Sequence, residues 1–252
     1  MSHQKQLRTG QVLYFQYQPP LTNLDVVAPS RKLAPPFSGA RPFMCSPYYY
    51  WWAFLRLNDD YRECCDNGGK GKLAKLYDDF GDVREDDFMS WWIGGGRLLF
   101  CEPPEQSIIL MHEAPARSYQ DGRLLISVPL DVPDDRILAE IETALSLRRS
   151  DDDRERLFRS KARYSPSRSV KLQSLYRQLE IYKGKKEEPS RDYWDLAVLC
   201  KMAHKDDKRF DNRSLNTQVS RYLATARKVV ENVTLGKFPE DADTAAEPDL
   251  FG

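Results

Sequence analysis

Residues 213–228 read RSLNTQVSRYLATARK. Four cations, Arg213, Arg221, Arg227 and Lys228, stand here among the amide and hydroxyl side chains of Asn216, Thr217, Gln218 and Ser220. Arginine and lysine neutralise phosphate, while amides and hydroxyls hydrogen-bond base edges and backbone oxygens. On a helix, Leu215, Val219, Tyr222, Leu223, Ala226 and Val230 form an apolar stripe. Asn216, Thr217, Gln218, Ser220 and Arg221 then lie largely on the other, exposed side, with Ser214 expected as the helix cap. The pattern predicts Asn216, Gln218, Ser220 and Arg221 facing bases or backbone of double-stranded DNA. Arg213, Arg227 and Lys228, joined by Arg209, are placed to hold phosphate.

Other residues suggest chemistry and lack its context. The carboxylates Asp59, Asp60, Asp78, Asp79, Asp82, Glu85, Asp86 and Asp87 have the types of a two-metal site. Adjacent acids within DDY and DDF are more simply solvated helix faces, and no spacing marks a ligand set. DFG at 79–81 has no glycine-rich loop, VAIK-like strand or HRD loop before it, so a kinase reading fails. GGKGK at 68–72 lacks the spacing of a phosphate-binding loop, and GGGR at 94–97 reads as a helix break. His112 ends an apolar run with no nucleophile motif near it. Cys45, Cys64, Cys65, Cys101 and Cys200 form no C-x-x-C pair, and His3, His112 and His204 add no zinc spacing. Reduced, mostly buried thiols are expected. No catalytic residue, metal site or cofactor is assigned, and the chain is read as non-enzymatic.

The elements that must position the 213–228 segment follow from periodicity. Residues 1–46 are proline-rich, with Pro19-Pro20, Pro35-Pro36 and Pro42 denying a helix. An extended arm is expected there, pinned by Phe37 and Phe43, with QVLYFQYQ as one strand-like run. PYYYWW at 47–52 opens a predicted helix over about 47–65, with Pro47 at its first position and Ser46 as cap. Trp51, Trp52 and Leu55 give it a broad apolar face, so the aromatics read as core and not as a base-stacking platform. Shorter helices are expected near 71–80 and from Asp82, broken at Gly94-Gly95-Gly96. SIILMHE (107–113) and GRLLISVPL (122–130) suggest a hairpin or small sheet. RILAEIETALSLRR carries an apolar stripe of Ile137, Leu138, Ile141 and Leu145. After a charged linker come VKLQSLYRQLEIYKG, ended by Gly184, then DYWDLAVLCKMA and the 213–233 helix.

The chain has 38 Lys+Arg and 38 Asp+Glu, so net charge alone names no partner. The balance hides an asymmetry, because from Arg148 to Lys228 bases exceed acids by about ten. Five segments are therefore expected: an N-terminal arm (1–46), an aromatic helical body with short strands (47–147), a linker (148–164), a basic helical module (165–238) and an acidic, disordered tail (239–252). The fold class expected is mainly α (α+β). Opposite charge on the two halves would also allow homo-oligomers through acid–base contacts. No run of about 18 apolar residues exists, so no membrane span is expected. The N-terminus MSHQKQLRTG lacks the apolar centre of a signal peptide, and the expected location is cytoplasmic.

SLNTQVSRYL resembles the recognition helix of helix-turn-helix proteins. The match departs from that family in its link between helices, about nine residues in place of the usual three or four. PYYYWWAFLRLN, KLYDDFGDV, F-x-x-WW and VSRYLATARKVVENVTLGKFP are together similar to an uncharacterised family of bacterial proteins borne by phages and mobile elements. That likeness implies a setting: regulators, replication or recombination accessory factors, or virion-associated proteins. The function expected is DNA binding, with protein–protein assembly as the alternative.

Overall fold

The computed structural model describes residues 12–20, 26–27, 30–84, 87–102, 126–148, 161–167, 169–204 and 213–239. The fold is mainly helical. Among the described residues there are eight α-helices: α1 Pro47–Leu57, α2 Asp59–Asp66, α3 Ala74–Phe80, α4 Phe88–Gly94, α5 Asp134–Arg148, α6 Leu172–Glu187, α7 Tyr193–Leu199 and α8 Arg213–Val233. By packing, Met1–Pro103 with Ala162–Gly252 forms one unit and Pro104–Lys161 another.

The centre of the larger unit is α1. Tyr48, Tyr50, Trp51, Trp52, Ala53, Phe54 and Leu55 are all buried, so the helix is apolar almost all round and must be enclosed. Around it, Tyr48 stacks on Trp92 (ring centroids 5.3 Å) and Phe80 on Trp91 (5.7 Å). The Trp91 indole N–H donates to the Phe80 carbonyl at 2.8 Å. Pro47 occupies the first turn as expected, but the buried Ser46 hydroxyl makes no hydrogen bond. The helix expected to run to residue 65 breaks at Asn58. The buried Asn58 side chain accepts from Tyr61 N–H at 2.8 Å, capping α2, and donates to the Val230 carbonyl at 2.7 Å.

The arm enters the core. Leu13, Phe15 and Tyr17 alternate into it and are buried. Strand β1 (Val12–Leu13) pairs in parallel with β2 (Val26–Val27), and single bridges join Phe15 to Cys101 and Tyr17 to Arg31. Phe37 packs on Tyr176 (4.7 Å) beneath the Lys201 ammonium, and Phe43 packs on Tyr49 (5.0 Å). The hairpin expected at 107–130 and His112 lie largely outside the described residues. Residues 126–130, which are described, form no strand. In the smaller unit, α5 forms as expected, yet Leu138 and Leu147 on it are 61% and 80% exposed.

Two expectations need correction. Gly184 does not end α6, which runs on to Glu187. Gly184 is buried against α7, where an added Cβ would lie 2.9 Å from Leu196 Cδ2 and 3.1 Å from Leu199 Cδ1. The glycine is needed for close helix approach. The compositional boundary at residue 148 is also not a boundary in the packing. Leu172, Leu175 and Leu179 of α6 and Ala226, Val229, Val230 and Val233 of α8 belong to one hydrophobic cluster with Trp51 and Phe54. Charge describes the surface, whereas the core is shared by the aromatic body and the basic helices.

Candidate nucleic-acid interface

α8 is fixed along its length. Near its start, Val219 and Leu223 pack with Ile181 of α6 and with Leu196, Ala197 and Cys200 at α7. Towards its end, Ala226, Val229, Val230 and Val233 enter the main core. A Schellman turn closes it. Lys237 N–H reaches back to the Asn232 carbonyl (3.1 Å), Gly236 N–H to that of Val233, and Gly236 takes φ +73°. Phe238 then anchors on Trp51 (5.2 Å).

The opposite face is left to solvent. Arg213, Asn216, Thr217, Gln218, Ser220, Arg221, Arg227 and Lys228 are all exposed. Arg213, Asn216, Thr217, Ser220 and Arg221 line one shallow groove of about 410 Å³. Arg227 and Lys228 extend the same helix two turns further. Gln218 is not brought together with them. It lines a hollow of about 390 Å³ with Ser214, Leu215, Arg177, Trp194 and Met202, on the flank towards α7. The Thr217 hydroxyl donates to the Arg213 carbonyl at 2.8 Å, so its donor is used within the helix. Ser214 lies inside α8, which starts at Arg213, and is not ahead of it as a cap. Arg209 lies outside the described residues.

The electrostatics of this face are one-signed. No acidic residue occurs between Arg213 and Val230. Among the described residues, none of Arg213, Arg221, Arg227 and Lys228 forms an ion pair. Elsewhere Arg84 is paired with Asp66 and Asp82, Arg163 with Asp79, and Lys186 with Asp59. Among the described residues no tight three- or four-residue turn joins α7 to α8. α7 has seven residues, and residues 200–212 separate it from α8.

Of the carboxylates singled out by sequence, Asp59, Asp79, Asp82 and Asp87 have structural partners, and Glu85 and Asp86 lie outside the described residues. Asp79 is 4% exposed and holds both Arg163 and the Tyr164 hydroxyl (2.7 Å), tying residues 163–164 to α3. The Arg84 guanidinium, bonded to Asp82, holds that carboxyl down at about 2. Asp87 caps α4 by accepting from Met89 and Ser90 N–H. Among the described residues, no three His, Cys, Asp or Glu side chains converge to hold a metal ion. Cys64, Cys65 and Cys200 are buried, and burial pushes the Cys65 and Cys200 thiols up to about 11. A thiol held that high is a poor nucleophile at neutral pH.

Sequence reasoning missed a groove of about 420 Å³ between α1 and α6. Trp52, Tyr49 and Leu179 line it with Arg56, Glu180 and Lys183. The Arg56 guanidinium stacks over Trp52 at 4.4 Å. Its residues are more than a hundred positions apart in sequence, so no local pattern could have found it.

Comparison with family models, with curated proteins and with solved structures returns no match. Any functional reading therefore rests on the site itself.

Proposed function

We propose that this protein binds double-stranded DNA through the exposed face of α8 and catalyses no reaction. The observation that carries the reading is a cationic face, free of acids and, among the described residues, of ion pairs, on a helix locked in place from behind. From Arg213 to Lys228 the helix rises about 22 Å, and the B-DNA major groove admits a helix of this kind. Helical spacing puts the small residues Thr217, Ser220 and Ala224 along the middle of the face. Arg221 and Lys228 flank them on one side, Asn216 and Arg227 on the other, and Arg213 stands in line with them at the start of the helix. A small-residue ridge allows close approach, and cations on both flanks suit the two phosphate walls of a groove. Asn216, Ser220 and Arg221 are the base- or backbone-facing groups, and Arg213, Arg227 and Lys228 hold phosphate. Gln218, on the α7 flank, contributes at most at the edge. Such a face would suit a regulator or a replication or recombination accessory factor.

Replacing a phosphate- or base-facing arginine by an acid tests this directly. Arg221→Glu should weaken binding to labelled duplex at least about tenfold, since it removes one contact and adds repulsion. Lys183→Glu, in the α1–α6 groove, should leave affinity within about twofold. Equal affinity of wild type and Arg221→Glu contradicts the reading.

A second reading, assembly with another protein, is favoured by one observation in the smaller unit. Ile126, Val128, Leu130, Leu138 and Leu147 are exposed there, Leu130 at 98%. Large apolar side chains left in water suit a protein contact. Its test is oligomer size on a sizing column without nucleic acid. A monomer at every concentration tried removes self-assembly.

A further inference from the structure

We propose that residues 240–252 dock along the basic face of α8 and compete there with nucleic-acid phosphate. The inference rests on reading α8 as a phosphate-binding face and adds its regulation. The segment EDADTAAEPDLFG carries Glu240, Asp241, Asp243, Glu247 and Asp249 and no cation. The face it would cover carries Arg213, Arg221, Arg227 and Lys228 and no acid before Glu231. Residues 157–179 also carry cations and no acid, but Arg163 there is already paired with Asp79. The α1–α6 groove is a poorer match for an acidic segment, because Glu180 and Glu187 line it among its cations.

The connection makes the contact reachable. The Schellman turn at Gly236 reverses the chain at the end of α8. Phe238 is then buried against Trp51 and Phe54, and its carbonyl accepts from Ser167 N–H at 2.8 Å. Residue 239 thus follows directly on an anchored residue just beyond the end of α8. Thirteen residues extend to at most about 45 Å, and α8 from Val233 back to Arg213 is about 30 Å long. The whole face lies within reach. Tethering gives the segment an effective concentration in the millimolar range. An intrinsically weak acidic peptide with a Kd near 0.1 mM would then reduce DNA affinity by roughly tenfold. The attraction is between exposed charges, so salt screens it together with DNA binding.

The test uses the full chain and a full-length variant with Glu240→Gln, Asp241→Asn, Asp243→Asn, Glu247→Gln and Asp249→Asn. A labelled synthetic peptide of residues 240–252 is titrated with the neutralised chain. Salt-sensitive binding is expected, weakened at least about tenfold by Arg221→Glu with Lys228→Glu. In parallel, labelled duplex DNA should bind the neutralised chain about tenfold more tightly than wild type at low salt. Absence of peptide binding, or peptide binding lost on Lys183→Glu and not on Arg221→Glu, overturns the docking. Equal DNA affinity of the two chains, still dependent on Arg221, also overturns it while leaving DNA binding intact. Peptide binding that requires Arg221, in a protein that binds no DNA, supports the docking and rejects the DNA reading.

Discussion

Asn58 shows how one side chain can set the course of two helices. It ends α1, caps α2 through Tyr61 N–H and satisfies the Val230 carbonyl 172 positions away. Asn58→Ala removes the cap and leaves a buried carbonyl without its donor. A loss of about 2–3 kcal/mol in urea unfolding is expected, with fluorescence following the tryptophan core. A loss below about 0.5 kcal/mol would mean that the two bonds do not matter. Glu180 gives a pH-dependent case. Burial raises its carboxyl above the ordinary value, against a smaller opposing effect of Lys183. The folded state therefore holds this proton more tightly than the unfolded chain. The resulting stability is present at low pH and lost as pH rises through the ordinary glutamate range and beyond it. Glu180→Gln should raise the Tm at pH 7 and leave it unchanged near pH 4, where the carboxyl is already largely protonated. An equal rise at both values would point to packing and not to charge.

At the scale of elements, Gly184 separates two readings of the same letter. A glycine late in an amphipathic run signals a helix end, but here it lets α7 approach α6. Gly184→Ala improves helix propensity, yet its Cβ would press on Leu196, which is fully buried. A net loss of about 1–2 kcal/mol is expected in thermal or urea unfolding. A gain would restore the helix-stop reading. The local patterns in the sequence were otherwise informative. PYYYWW reads as core because apolar residues fill nearly every position of α1, and the stripe at 215–230 predicts which side of α8 stays in water. What local pattern could not supply was partnership. Trp51, Trp52 and Leu55 continue smoothly towards Tyr61 and Cys65, so nothing local marks the break at Asn58. Gln218 shares its helix with Asn216 and Ser220, and only the position of Trp194 and Arg177 moves it to another flank.

For the whole molecule, the main consequence is that the basic helices are not a separable module. Leu172, Leu175, Val229 and Val230 share a cluster with α1, so residues 165–238 alone would expose that apolar surface. Such a fragment is expected to lack cooperative unfolding by circular dichroism, and DNA binding should be measured on the full chain. A folded, cooperative fragment would show that the compositional boundary is structural after all. The measurement that tests the central claim most directly is fluorescence anisotropy of labelled duplex DNA with the full chain, across about 50 to 200 mM salt. Four phosphate contacts from α8 predict a log–log salt slope of roughly −3.6, falling in magnitude by about one for each of Arg213, Arg221, Arg227 and Lys228 replaced by alanine. No binding at the lowest salt, or a slope unchanged by these replacements, would contradict the assignment of α8 as the DNA-binding face.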